Sequence, residues 1–293
     1  MKIFEYDSFT KVPGLGNPAG IVNLHNEKLS EDQMQQIALA SDFNETVFIS
    51  RSSEGQFSFR FFTPGHEINL CGHATVAGVG FLFDNDMIEL GELEIDTKTG
   101  KIVIKLQKNE FGEITVIMRQ NNVIFEKFSG NKIELCFALG IEIDDLDENL
   151  DVVYGNTGTW TLLVPVKSEA ILKKMIPSNH DFPDVLKEIP NSSIHPYTIE
   201  KFSDGLIKAR HFSSPYSKTI EDPVTGTASG VIGEYLLRFF ANQNAINFVV
   251  EQGEFVNRPG IVHVHSQKNK CVEICGTYIK NGFKEIRLTT ASS

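Results

Sequence analysis

FSFRFFTPGHEINLCGHATVAGVGFLF (57–83) decides the fold of this chain, because LIKARHFSSPYSKTIEDPVTGTASGVIGEYLLRFF (206–240) repeats its plan. Each stretch has a strand carrying an arginine (Arg60 or Arg210), a turn at a proline (Pro64 or Pro215), an acidic loop, and a glycine (Gly72 or Gly226) that opens an apolar helix. A matching element lies upstream of each: GNPAGIV (16–22) and GNTGTWTLLV (155–164), where glycines lead into an apolar strand. A repeat of this kind predicts two half-domains built alike. Both helices are apolar nearly all round, the pattern expected of a helix enclosed by its own domain.

Outward from these stretches, short strands dominate: MKIFEYDSF, GIVNLH, ETVFIS, ELEIDT, KIVIKLQ, EITVIMRQ, TWTLLVPV, INFVVEQG, GIVHVHSQ, KCVEICGTYI and KEIRLTT alternate apolar and polar residues between turn signals. Two further segments, EDQMQQIALA and SEAILKKM, read as helices. The polar run RQNNVIFEKFSGNK (119–132) is the expected crossing between halves. The predicted domains are 1–118 with a C-terminal strand at 280–293, and 119–279.

The chain has 293 residues, 41% hydrophobic and 22% charged, enough for a substantial core. Its net charge of -11 opposes nucleic-acid binding, which needs surplus Lys and Arg to displace counterions. No apolar run is long enough to span a bilayer and the first residues alternate like a strand, so no membrane partner and a cytoplasmic location are expected. Four cysteines, at 71, 136, 271 and 275, are too few to staple such a chain. Cys271 and Cys275 read as small core residues of one strand. His263 and His265 share a strand face without further ligands nearby, so no metal site is predicted there.

Chemistry concentrates at the helix starts. The unpaired amides around Gly72-His73 and Gly226-Thr227 suit an anion such as a substrate carboxylate, although capping by a side chain explains either start alone. His73, at the positive end of its helix, is expected to stay neutral and to serve as a hydrogen-bond partner or as a structural histidine. Asp222 precedes Pro223 in a stiff acidic turn, where it either presents a carboxylate or closes an Asx-turn. Glu45 opens the strand TVFIS, so it is either a partly buried acid/base or a plain strand-end carboxylate.

GNPAGIV, NETVFIS, RFFTPGHEINLCGHATVA, GNTGTWTLLVPV and EDPVTGTASG, in that order, resemble the phenazine-biosynthesis-like (PhzF-like) family. The resemblance implies an α+β, diaminopimelate-epimerase-like fold: two pseudo-symmetric domains, each an antiparallel barrel-like sheet around a central helix, with a cleft between them and a homodimer as the assembly. It implies a cofactor-independent isomerase or epimerase of a small carboxylate-bearing metabolite. Glu45 matches the family's proton-moving glutamate, His73 and Asp222 match residues that bind and shuttle, and Asn17, Gly72, Gly226 and Thr227 fall at substrate-binding positions, Thr227 standing where Ser is frequent. Cys71-Gly72-His73 resembles one half of the paired-thiol motif of related racemases, but TGTASG lacks the second cysteine. A non-catalytic binding protein and a Cys71-assisted racemase are the alternative readings.

Overall fold

The computed structural model describes residues 1–286 apart from Asn26, Glu200 and Lys218. Two compact units emerge: Met1–Met118 with the described residues from Cys275 onward, and Arg119–Ile274. The predicted strand KEIRLTT runs past residue 286 and so lies largely outside the described residues. Its first residues belong instead to the longer strand Tyr278–Glu285.

Both units follow one sequence of pairings. In the first, Lys2–Ser8 lies antiparallel to Asn17–Asn23, which is parallel to Thr46–Arg51, antiparallel in turn to Phe57–Phe62. Phe57–Phe62 runs parallel to Gly91–Thr97, itself antiparallel to Gly100–Lys108. In the second, Val153–Asn156, Trp160–Pro165, Ser193–Thr198, Leu206–Ala209, Ala245–Gln252 and Gly260–Gln267 repeat the order antiparallel, parallel, antiparallel, parallel, antiparallel. The fold is α+β, as expected, and the sheets are mixed. The chain returns in the same direction where a helix carries it across: Glu31–Ala40 and Glu169–Lys174 after the second strand, Gly72–Asp84 and Gly226–Phe239 after the fourth.

The helices Gly72–Asp84 and Gly226–Phe239 are the centres of their units. The first buries every residue from His73 to Leu82 and packs on strands Lys2–Ser8, Asn17–Asn23 and Tyr278–Glu285. The second packs on Ala245–Gln252 and Gly260–Gln267. Such contact requires small residues on the helix: a Cβ at Gly80 would come within 2.3 Å of the Tyr278 ring, and one at Gly233 within 2.5 Å of Val264. Among the described residues no helix is long and apolar enough to cross a membrane.

Each arginine of the repeat grips a glutamate with two nitrogens. Arg60 donates from Nε and Nη2 to the two oxygens of Glu67, at 2.7 and 2.9 Å, and Arg210 does the same to Glu221, at 3.0 and 2.6 Å. Each guanidinium also lies over the phenylalanine two residues on, Phe62 or Phe212. Gly72 follows Glu67 by five residues and Gly226 follows Glu221 by five, so the pair fixes the loop that delivers each helix start. Arg60 beside Glu67 holds that carboxyl down to about 2, with Lys98 adding to the effect. The second pair is deeper, its side chains 8% and 7% exposed, and Arg210 also donates to the carbonyls of Leu172 and Met175.

Several elements escaped the sequence pattern, among them the strand Ser193–Thr198 and the short helix Phe182–Val185. The strand Ile124–Lys127 lies inside the segment read as a crossing, Val153–Asn156 is a strand too short to show alternation, and Lys132–Leu139 is a helix with apolar side chains on both its buried and exposed faces. Cys271 and Cys275 are not core residues: Cys271 is exposed, Cys275 half-buried, and Val272 and Ile274 take the inward positions. Alternation was read correctly there but the inward face was misassigned, since in CVEIC both sets of side chains include apolar groups.

His195 and His211 meet in the core of the second unit with their Nδ1 atoms 3.0 Å apart. One of the two nitrogens must donate and the other accept, which neutral rings allow and two imidazoliums forbid. Burial pushes His211 down to about 3 and His195 well below its usual value, a charge on His211 adding to the latter. Both folded values lie below the unfolded one, so the stability these rings contribute is present above pH ~6.5 and drains away as pH falls toward the folded values. Urea unfolding followed from pH 7.5 to 4.5 is expected to lose about 1.4 kcal/mol per pH unit for each histidine below pH ~6. The double substitution His195→Phe with His211→Leu is expected to flatten that slope. Separately, Glu221→Gln should cost about 3–5 kcal/mol by stranding a buried guanidinium, and Glu67→Gln less, because Arg60 reaches solvent.

Candidate active site

Glu45 stands immediately before the strand Thr46–Arg51, and its position is set by main chain. Its carbonyl accepts a hydrogen bond from Gly20 N at 3.1 Å. Glycine is needed at position 20, where a Cβ would lie 2.6 Å from the Phe43 ring. The side chain is one-fifth exposed. In the second unit the residue before the matching strand is Ser192, fully buried, so a carboxylate stands at this point in one half only.

His73 and Cys71 converge on this carboxylate. His73 Nε2 is 3.3 Å from Glu45 Oε2, and Cys71 Sγ is 3.4 Å from His73 Nδ1. The carboxylate oxygen is buried and the contact is not aligned as a hydrogen bond, so attraction between Glu45 and His73 is chiefly electrostatic. Backbone contacts hold the rest: Ser8 Oγ donates to His73 O at 2.7 Å, and Thr75 N and Oγ1 both donate to Cys71 O. Asn17, fully buried, sits opposite Ser8 in the strand register.

Charge balance here differs from the neutral imidazole expected for His73. Burial works against the imidazolium, while Cys71 in its ionised form and the carboxylate of Glu45 work for it, and the balance raises His73 above its usual value. Burial pushes the Cys71 thiol up, with Glu45 acting in the same direction and His73 against it.

Asp222 belongs to the second unit. Its amide donates to His211 O at 2.9 Å, its carboxylate accepts a short hydrogen bond from Thr225 Oγ1, and its carbonyl accepts one from Gln252 Nε2 at 2.8 Å. Gln252 also accepts from Thr225 N at 3.1 Å. Thr225 occupies the cap position of the helix Gly226–Phe239, but its hydroxyl serves Asp222, and the start of Gly72–Asp84 likewise has no capping side chain. Side-chain capping therefore does not account for either glycine start. Gly226 is buried and Thr227 half-buried in the first turn.

Ser8, Thr225 and Gln252 were not singled out in the sequence. Gln252 carried a faint signal, a polar residue at the inward position of an alternating strand. His263 and His265 point away from the core, His265 bonding to Asn247. Surface hollows beside Glu188 and beside Glu92 contain none of these site residues.

Residues 6–280 match the phenazine biosynthesis-like protein (PhzC-PhzF) family. The chain belongs to that family. It is 44% identical over 265 residues, 90% of its length and 89% of the relative's, to a Bacillus subtilis protein named uncharacterized isomerase YfhB. The crystal structure of a Bacillus anthracis phenazine biosynthesis protein of the PhzF family superposes with a TM-score of 0.93 at 43% identity, covering 98% of this chain and 99% of that one. At 26% identity, over 89% of this chain and 88% of the relative, stands the trans-2,3-dihydro-3-hydroxyanthranilate isomerase of Pseudomonas chlororaphis. Family membership makes the chain an isomerase.

Two outcomes check this geometry. Histidine-ring NMR is expected to show His73 titrating above an ordinary histidine, with Glu45→Gln lowering its midpoint. Gln252→Leu removes the Gln252 hydrogen bonds to the Asp222 carbonyl and the Thr225 amide and should lower stability in urea by about 1–3 kcal/mol.

Proposed function

We propose that the chain isomerises or epimerises a small carboxylate-bearing metabolite without a cofactor, with Glu45 taking a proton from carbon and returning it elsewhere on the substrate. The observation that carries this reading is the convergence of Glu45, His73 and Cys71 at an uncapped helix start. A partly desolvated carboxylate beside an imidazole of raised proton affinity can pass a proton in either direction, because the facing ring steadies the ionised carboxylate between transfers. The amides opening Gly72–Asp84 supply an anion site for the substrate carboxylate, and Gly226 and Thr227 open a second helix in the same way. Asp222, steadied by Thr225, is the shuttle partner in this reading, and Asn17 supports binding beside Ser8. The substrate C–H must be acidified by conjugation or a neighbouring carbonyl, since a carboxylate alone is a weak base toward carbon.

Cys71 motivates a second reading, in which the thiol assists the transfer, because its sulfur lies 3.4 Å from His73 Nδ1. Its raised proton affinity and the lack of a thiol among residues 225–230 count against it.

Incubating the protein with metabolite pools in deuterated water should identify a compound that gains deuterium. Glu45→Gln is expected to slow that exchange by roughly 10²–10⁴-fold while leaving circular dichroism and melting temperature unchanged. Undiminished exchange in this variant would remove Glu45 from the mechanism. Exchange that survives thiol alkylation would dismiss the second reading.

A further inference from the structure

Glu45, Cys71 and His73 each present a ligand atom, and these atoms lie within 4.8 Å of one another. Among the described residues this is the one such group of three His, Cys, Asp or Glu side chains. A tetrahedral zinc ion with bonds of about 2.0 Å to nitrogen and oxygen and about 2.3 Å to sulfur would set its N···O edge near ~3.3 Å and its S···N edge near ~3.5 Å. His73 Nε2 and Glu45 Oε2 are 3.3 Å apart, and Cys71 Sγ is 3.8 Å from Nε2. The sulfur now lies beside both ring nitrogens, so a turn of the imidazole is required to aim Nε2 between the other two donors.

The donor set selects the ion. Thiol, imidazole and one carboxylate suit zinc and its neighbours, whereas magnesium and calcium ask for oxygen ligands alone. Three protein donors leave a fourth position for water or an anion, the arrangement of an open site rather than a closed structural one. Cys71 and His73 are buried, so most of their desolvation is complete before any ion arrives. Their backbone is fastened by Thr75 and Ser8, and that of Glu45 by Gly20. Among the described residues no carboxylate or carbonyl bonds the far ring nitrogen of His73, whose neighbour is the sulfur itself. Weakly supported ligands give an exchangeable ion rather than a permanent one.

We infer that Glu45, Cys71 and His73 form a reversible site for a thiophilic divalent cation of the zinc class, and that the bound ion silences Glu45 by occupying its carboxylate. Binding replaces the Cys71 S–H bond by a sulfur–metal bond and sends that proton to solvent. Any proton on His73 Nε2 leaves likewise, and no electron changes hands. Silencing rests on the proton-transfer role proposed for Glu45; the cation site itself does not.

Cobalt(II) reports thiolate ligation by a charge-transfer absorption, so it is the probe, used on the full chain carrying Cys271→Ser and Cys275→Ser to remove the more accessible thiols. One equivalent of cobalt should bring up the band and excess zinc should bleach it. Cys71→Ser in the same background should abolish it. Zinc should raise the melting temperature of the parent and not of His73→Asn, each compared with its own metal-free form. A parent without the band, or a band that persists in Cys71→Ser, overturns the site. For silencing, deuterium exchange should stop on adding one equivalent of zinc and return with a chelator; exchange that continues with zinc bound overturns that half. A metal-free protein that exchanges no metabolite yet gives the cobalt band counts against the proposed isomerisation and upholds the cation site.

Discussion

A guanidinium held by both oxygens of a carboxylate sets where each central helix begins. Arg60 with Glu67 and Arg210 with Glu221 fasten the fourth strand, or the residue just after it, to the loop that ends five residues later in Gly72 or Gly226. Four of the candidate side chains stand beside those two glycines, while Glu45 is placed separately through Gly20. His73 and Cys71 flank the first, while Asp222 and Thr225 precede the second. A planar fork suits this task better than a point charge, because two parallel hydrogen bonds fix direction as well as distance.

The two copies have diverged in how they use the same frame. Ahead of the third strand one unit has Glu45 and the other Ser192, so only one offers a base at that point. Around the helix starts, one unit gathers a thiol, an imidazole and a carboxylate, and the other a carboxylate locked to a threonine hydroxyl. The pairing order of the strands remained common to both, which is what a duplicated fold with one elaborated half looks like.

Much of the fold was legible in the sequence because the repeat is written in residue types that have few substitutes. The glycines at 80 and 233 are demanded by close packing and the paired arginines by fixed fork geometry. Both central helices and the strand that follows Glu45 could be read from apolar pattern alone. Ile124–Lys127 and Val153–Asn156 could not, since four residues give too few alternations to rise above the polar surroundings. Local sequence left Glu45 a strand-end carboxylate; its meaning came from His73 and Cys71, 28 and 26 residues away in the chain and brought near by the helix start. The His195–His211 contact and the Gln252 brace are likewise products of strand pairing, invisible to any local window. The raised proton affinity of His73 runs against the neutral ring that the helix end alone suggests, because the facing carboxylate is not visible in sequence.

The site is held by main chain and worked by side chains. Ser8 grips the carbonyl of His73, Gly20 the carbonyl of Glu45, and His211 the amide of Asp222, none of which depends on what the gripped residue carries beyond its Cα. Scaffold and chemistry are thus separable inheritances. Side chains at 45, 73 and 222 can change through evolution while the loops presenting them keep their course, so a lineage can move to new substrates without first solving folding again.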